Sequence, residues 1–163
     1  SQLRIVVCDV PDVPGRAALI FSKLSEANIS VDMIIQSYAR KVENTNDIAF
    51  TIDKSDLDKT LKTLDGMKDD IGASRFQVDD SIAMVSIVGA GMIDRPGIAA
   101  LMFNTLGQQG INIKMISTSE IKISCLVDEL DADKAVIALH KAFNLDCDEI
   151  AEVKGTLPDV KIF

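Results

Sequence analysis

The chain has 163 residues, 47% of them apolar, with 25 acidic against 17 basic side chains and a net charge of −8. That apolar content can fill one ordinary core or two minimal ones, and scattered lysines and arginines on an acidic chain argue against a phosphate backbone, so no nucleic-acid partner is expected. Apolar runs such as Met33-Ile34-Ile35 fall far short of the roughly 20 residues that cross a bilayer; with no basic-then-apolar signal segment at the start, the expectation is a cytoplasmic protein with no membrane association.

In chain order, the apolar run Leu3 to Val10 predicts a strand that ends in the turn-rich Asp12-Val13-Pro14-Gly15. Ala17, Ile20, Phe21, Leu24 and Ala27 then recur at helical spacing, which predicts an amphipathic helix. Ile29 to Ile35 is rich in β-branched residues and predicts a second strand, and Asp47 to Ile52 a third. A second helix is expected behind Ser55 or Asp56, with Leu57, Leu61 and Leu64 on one face, followed by a strand at Ser74 to Val78. The same order then recurs. Met84 to Val88, Ile111 to Ile116 and Ile121 to Val127 predict strands. Ala99, Met102, Phe103 and Leu106 mark one helix, and Ala135, Val136, Leu139 and Phe143 another, capped by Asp131. A last strand is expected at Glu149 to Lys154, and Asp146 to Phe163 reads either as a tail or as an added strand.

Sliding the chain against itself by 82 residues makes the repetition explicit: residues 14–37 match 96–119 at 11 of 24 positions without a gap, where average residue usage gives about one or two. The expected fold is therefore α+β, two ferredoxin-like βαββαβ units, each an antiparallel sheet with its helices on one face. The first unit is expected over residues 1–80 and the second over 81–163, and the pattern leaves open whether they exchange a terminal strand. The main difference lies in the connector between the second and third strands. Tyr38 to Asn46 makes it about nine residues longer in the first copy.

Asp12-Val13-Pro14-Gly15 places proline near the start of a helix and glycine where the backbone can approach a bound group. The first N–H groups of that helix lack intrahelical partners and carry the positive end of its dipole, so they suit the carboxylate of a free amino acid. Asp12 would then accept from the ammonium or hydroxyl. The same residues equally suit a plain helix cap and a plain turn. Cys8, Cys125 and Cys147 show no metal-ligand spacing and read as reduced structural thiols, while His140 is the only histidine and reads as a helix residue. No metal, no cofactor and no catalytic residues are expected, since neither a Gly-rich phosphate loop nor an acid–base cluster is present.

Asp12-Val13-Pro14-Gly15, Ile29 to Gln36, Val85 to Met92 and above all Ile113-Lys114-Met115-Ile116-Ser117-Thr118-Ser119-Glu120-Ile121, supported by Leu139 to Leu145, resemble the paired ACT domains of aspartate kinase. The likeness covers the chain up to Leu145 and is nearest to the type whose regulatory half is also made as a separate short subunit. The resemblance implies a non-catalytic regulatory part that mediates feedback inhibition by L-threonine, acting together with L-lysine, in the synthesis of lysine, threonine and methionine. It also implies a homodimer joined through ACT domains and an aspartate kinase catalytic chain as partner. In that family the effector lies at a seam between ACT domains. One half of such a site falls on Asp12, Pro14, Gly15, Arg16, Ala17, Asp32 and Gln36, and the other on Ile98, Ala99, Asn112, Ile113 and Ser119. Gln36 and Asn112 suit the task because an amide both donates and accepts. The copies differ where Gln36 faces Thr118 and Asp32 faces Lys114 in the alignment. A second effector site, if the copies are used alike, falls around Asp94 and Pro96-Gly97. The alternatives are an ACT module of another biosynthetic enzyme, such as acetolactate synthase with a branched-chain effector, an ACT-type transcriptional regulator, which would need a basic DNA-reading segment, and an enzyme on the same scaffold.

Overall fold

A computed structural model describes residues 2–38, 41–89, 95–143 and 161–163. The chain divides into two compact units, Ser1–Asp80 and Ser81–Phe163.

The first unit runs β1 (Gln2–Pro11), α1 (Arg16–Glu26), β2 (Ile34–Tyr38), β3 (Thr45–Asp53), α2 (Leu57–Gly66), a short α3 (Lys68–Ile71) and β4 (Arg75–Asp79). Its sheet has the order β2-β3-β1-β4, antiparallel throughout. Leu3, Ile5 and Val7 of β1 and Ile48, Phe50 and Ile52 of β3 alternate onto one face and share a core with Ile20 and Leu24 of α1 and Leu64 of α2. Sequence period 2 thus meets sequence period 3.6 in one apolar layer. The Phe21 and Phe50 rings meet edge to face at 5.6 Å.

The second unit runs β5 (Ile82–Val88), α4 (Pro96–Gln108), β6 (Met115–Thr118), β7 (Lys122–Asp128), α5 (Ala132–Ala142) and β8 (Lys161–Ile162). Its order, β6-β7-β5-β8, repeats that of the first. Val85, Ile87, Ile123, Cys125 and Val127 pack against Ile98, Met102, Leu106, Ala135 and Leu139. Each terminal strand lies on its own unit's first strand, β4 on β1 and β8 on β5. The added-strand reading of the C-terminus holds at Lys161–Ile162, whereas the strand expected at 149–154 lies outside the described residues.

Two expectations about element boundaries are corrected. The second strands begin at Ile34 and Met115, not at Ile29 and Ile111. Asn28 and Gly110 adopt positive φ at the helix ends, 54° and 69°. Ile29 N–H donates to the Leu24 carbonyl at 2.9 Å and Ile111 N–H to Leu106 at 3.0 Å. These are Schellman closures, and Ile29 and Ile111 are buried because they clamp the helix end. The second helices begin directly behind Asp56 and Asp131, as expected, but neither of those side chains nor Ser55 caps them. Asp53 accepts from Ser55 N–H at 2.9 Å and Asp128 from Leu130 N–H at 3.0 Å, each through a single turn of 3-10 helix that precedes the α-helix. Because Asp53 and Asp128 do the same work, the two copies are 75 residues apart here instead of 82. The first connector is seven residues longer (82 − 75), not nine.

Among the described residues no helix is long and apolar enough to cross a membrane. Cys8 and Cys125 are buried free thiols. Burial pushes the Cys125 thiol up to about 12, and burial, then Asp47, raises Cys8. Since the thiolate is the reactive form, both are expected to resist a disulfide reagent at pH 8 in a Cys147→Ser background until urea unfolds the chain. Stoichiometric labelling of the folded protein within minutes would contradict this.

Candidate functional site

The first-unit site is built by a bulge. Val7 pairs with Ile48 but Val10 with Asn46, so Cys8 and Asp9 together oppose Asp47. Asp9 takes φ 56°, and its N–H, lost from the ladder, donates to Asp47 Oδ1 at 2.9 Å. The strand is thereby re-aimed into the Asp12 turn. Asp12 N–H donates to the Asn44 carbonyl at 2.9 Å, which ties the turn to the long connector. Gly15, at φ 92°, precedes α1, a backbone state that side chains disfavour.

What this leaves open is the helix start. Among the described residues no side chain caps α1, and no acidic residue stands in its first turn. The plain-cap alternative for Asp12 is therefore not what the chain adopts. The Asp12 carboxylate instead accepts from Asn46 Nδ2 at 2.8 Å. The first N–H groups of α1, on Arg16, Ala17 and Ala18, have no intrahelical acceptor and suit an anion.

A cavity of about 220 Å³ is lined by Asp12, Pro14, Gly15, Arg16, Ala17, Gln36 and Asn46, with Val10 and Ile48 beneath. A second, of about 250 Å³, shares Asp12, Gln36 and Asn46 and adds Ser37 and Tyr38. Six of the seven residues expected in the first half thus come together. Asp32 does not line either cavity. Its N–H donates to the Thr51 carbonyl at 3.1 Å, and four residues of extended chain, about 13 Å, separate it from Gln36. Arg16 borders the cavity, but its guanidinium donates to the Asp70 carbonyl. Asn46 is the residue that sequence reasoning missed. The available signal was an amide at the end of the inserted connector, immediately before the Asp47 to Ile52 run.

The second unit repeats the place but not the chemistry. A cavity of about 410 Å³ is lined by Arg95, Pro96, Ala99, Thr118, Ser119, Glu120 and Ile123. Of the expected residues, Ala99 and Ser119 line it. Ser119 Oγ accepts from Lys122 N–H at 3.1 Å and Ser119 N–H donates to the Lys122 carbonyl at 2.7 Å, so this residue closes the β6–β7 turn. Ile98 is core, 4% exposed; Ile113 packs against the same core, and Asn112 is exposed ahead of β6. Asp94 lies outside the described residues. No group of three His, Cys, Asp or Glu side chains that could hold a metal occurs among the described residues.

Comparison with known proteins agrees with this architecture. The ACT domain family model matches residues 4–67 and 85–143, one match per unit. The aspartokinase of Mycolicibacterium smegmatis is 41% identical over 153 residues, 94% of this chain but 36% of that protein, so the chain spans about a third of the length of the curated relatives it matches. A crystal structure of aspartokinase alpha and beta subunits superposes with a TM-score of 0.80 at 48% identity, covering 88% of this chain and 93% of that one. The ligand-free regulatory subunit of aspartate kinase from Thermus thermophilus superposes with a TM-score of 0.79 at 37% identity, covering 86% and 92%. With both units matched and separate regulatory subunits aligned nearly end to end, this chain belongs to the ACT domain family, as a tandem pair of the aspartate kinase regulatory type.

Proposed function

We propose that this chain senses L-threonine, in concert with L-lysine, and so mediates feedback inhibition of an aspartate kinase in aspartate-family amino-acid synthesis. The observation that carries the reading is the cavity that joins an uncapped helix start to the Asp12 carboxylate and the Gln36 amide. A zwitterion fits that polarity. Its carboxylate meets the α1 N–H groups, and its ammonium meets Asp12 and the Gln36 carbonyl oxygen. We further propose that the chain works as a homodimer with a catalytic aspartate kinase chain as partner. In that assembly Ile98, Ala99, Asn112, Ile113 and Ser119 would contribute from a facing module of a second copy. Inhibition then requires that the effector prefer one arrangement of the assembly over another, since equal affinity for both shifts nothing.

Titration calorimetry with L-threonine and L-lysine, singly and together, tests this reading. Gln36→Ala is expected to weaken threonine binding about tenfold, the value of one hydrogen bond to a charged group, with no change in urea midpoint. A chain that instead answers to L-leucine or L-valine, or a Gln36→Ala variant with undiminished threonine affinity, would count against it. Stabilisation on ligand binding gives the same answer in a thermal-shift format.

A further inference from the structure

We infer that Asn46 is the positioning residue of the first-unit cavity, and that through it the site demands an ammonium group on its ligand. The inference rests on the amino-acid-sensing reading above and deepens it. Asn46 is 5% exposed, borders both of the cavities that contain Asp12 and donates from Nδ2 to Asp12 Oδ1 at 2.8 Å. Only the amide nitrogen can donate to a carboxylate, so this bond decides which way round the amide lies. No hydrogen bond to its Oδ1 occurs among the described residues, and that oxygen is not one of the buried unpartnered atoms, so it stays accessible to a ligand.

Two consequences follow. Asp12 belongs to an exposed turn, where a carboxylate would otherwise sample several rotamers, and the Asn46 bond holds it in one before any ligand arrives, which removes an ordering cost from binding. Asp12 and the Asn46 Oδ1 then present acceptors beside Gln36. An ammonium, with three N–H donors and no acceptor, satisfies such a set, whereas a group with few or no donors leaves it unpaired. The second unit has no equivalent: at the 75-residue offset fixed by Asp53 and Asp128, the counterpart of Asn46 is Ile121, 58% exposed.

The test compares L-threonine with (3R)-3-hydroxybutanoate, the same skeleton without the amino group, on the whole chain by calorimetry and by NMR titration. The wild type is expected to prefer threonine by about a hundredfold, the sum of about two charge-assisted hydrogen bonds. Asn46→Ala is expected to lower threonine affinity about tenfold while moving 3-hydroxybutanoate less than about threefold, so the preference narrows. Asn46→Ser, which keeps a donor for Asp12 in less volume, is expected to recover part of the loss and serves as the reporter should the alanine variant unfold. A residue that merely held the turn in shape would weaken both ligands together, and that result would overturn the inference. Threonine affinity unchanged in Asn46→Ala but lowered in Gln36→Ala would overturn it while leaving the sensor reading in place. A wild-type chain that binds neither L-threonine nor L-lysine would overturn both.

Discussion

Phe50→Ala is expected to destabilise the first unit by about 3–5 kcal/mol, close to the whole stability of an 80-residue module. Phe50 has no exposed surface and stands mid-strand in β3, where it pairs with Ile5 on one side and Ile34 on the other. Its removal leaves a cavity in the layer that joins sheet and helices and deletes the edge-to-face partner of Phe21. Urea unfolding followed by NMR amide signals separates the two units. First-unit amides should lose their protection while Cys125 and Leu139, core residues of the second unit, keep theirs. A loss under about 1 kcal/mol would mean that the first-unit core is not the one described.

The second large effect is expected at Gly15, and it has two parts. Gly15→Val forces a β-branched residue into φ 92°, which costs about 2 kcal/mol. Nothing lies within 4 Å of a Cβ at this position, so the cost is conformational and not a clash. Relief of that strain rotates the peptide that precedes Arg16 and turns the open N–H groups of α1 away from the Asp12 cavity. Threonine binding is expected to fall about a hundredfold, as for two lost hydrogen bonds to a carboxylate. Gly97 is the control. It lies inside α4, which begins at Pro96, with ordinary helical φ and open space around it. Gly97→Ala should therefore be neutral or stabilise by up to about 1 kcal/mol. Equal destabilisation by alanine at both glycines, measured by chemical unfolding, would refute the assignment of different helix starts.

That pair of glycines shows where the pattern in the chain stops being informative. Pro14-Gly15 and Pro96-Gly97 align without a gap, yet the first pair precedes its helix and the second opens it. The apolar residues Ile29 and Ile111 misled in a related way: burial is common to a strand start and a Schellman clamp, and only the positive φ of Asn28 and Gly110 separates them. Asp53 and Asp128 stand at strand ends, two residues before the N–H groups that they accept from. That each caps a 3-10 turn depends on backbone geometry three residues further on.

The candidate site divides along the same line. The Asp12 to Gly15 turn was legible from its residue types, while Arg16, Ala17 and Gln36 joined it only through the family resemblance; they come together because they sit at a strand–helix turn and on a strand of the same sheet. Asp32 could not be separated from them, since β2 starts later than its apolar run suggests. Asn46 could not be found, because its link to Asp12 spans 34 residues and exists only once the Cys8–Asp9 bulge has re-aimed β1.

The chain by itself determined the module and its duplication, because period 2, period 3.6 and an 82-residue repeat are local or translational regularities that need no coordinates; the family likeness rested on particular motifs, above all Ile113 to Ile121. Tertiary structure alone decided which Pro-Gly pair precedes its helix and which opens it, where the carboxylate of Asp12 is held and why the lining differs between the units. Those outcomes hang on single backbone angles and one part-buried hydrogen bond between distant residues, and hydrophobic periodicity carries no information about either.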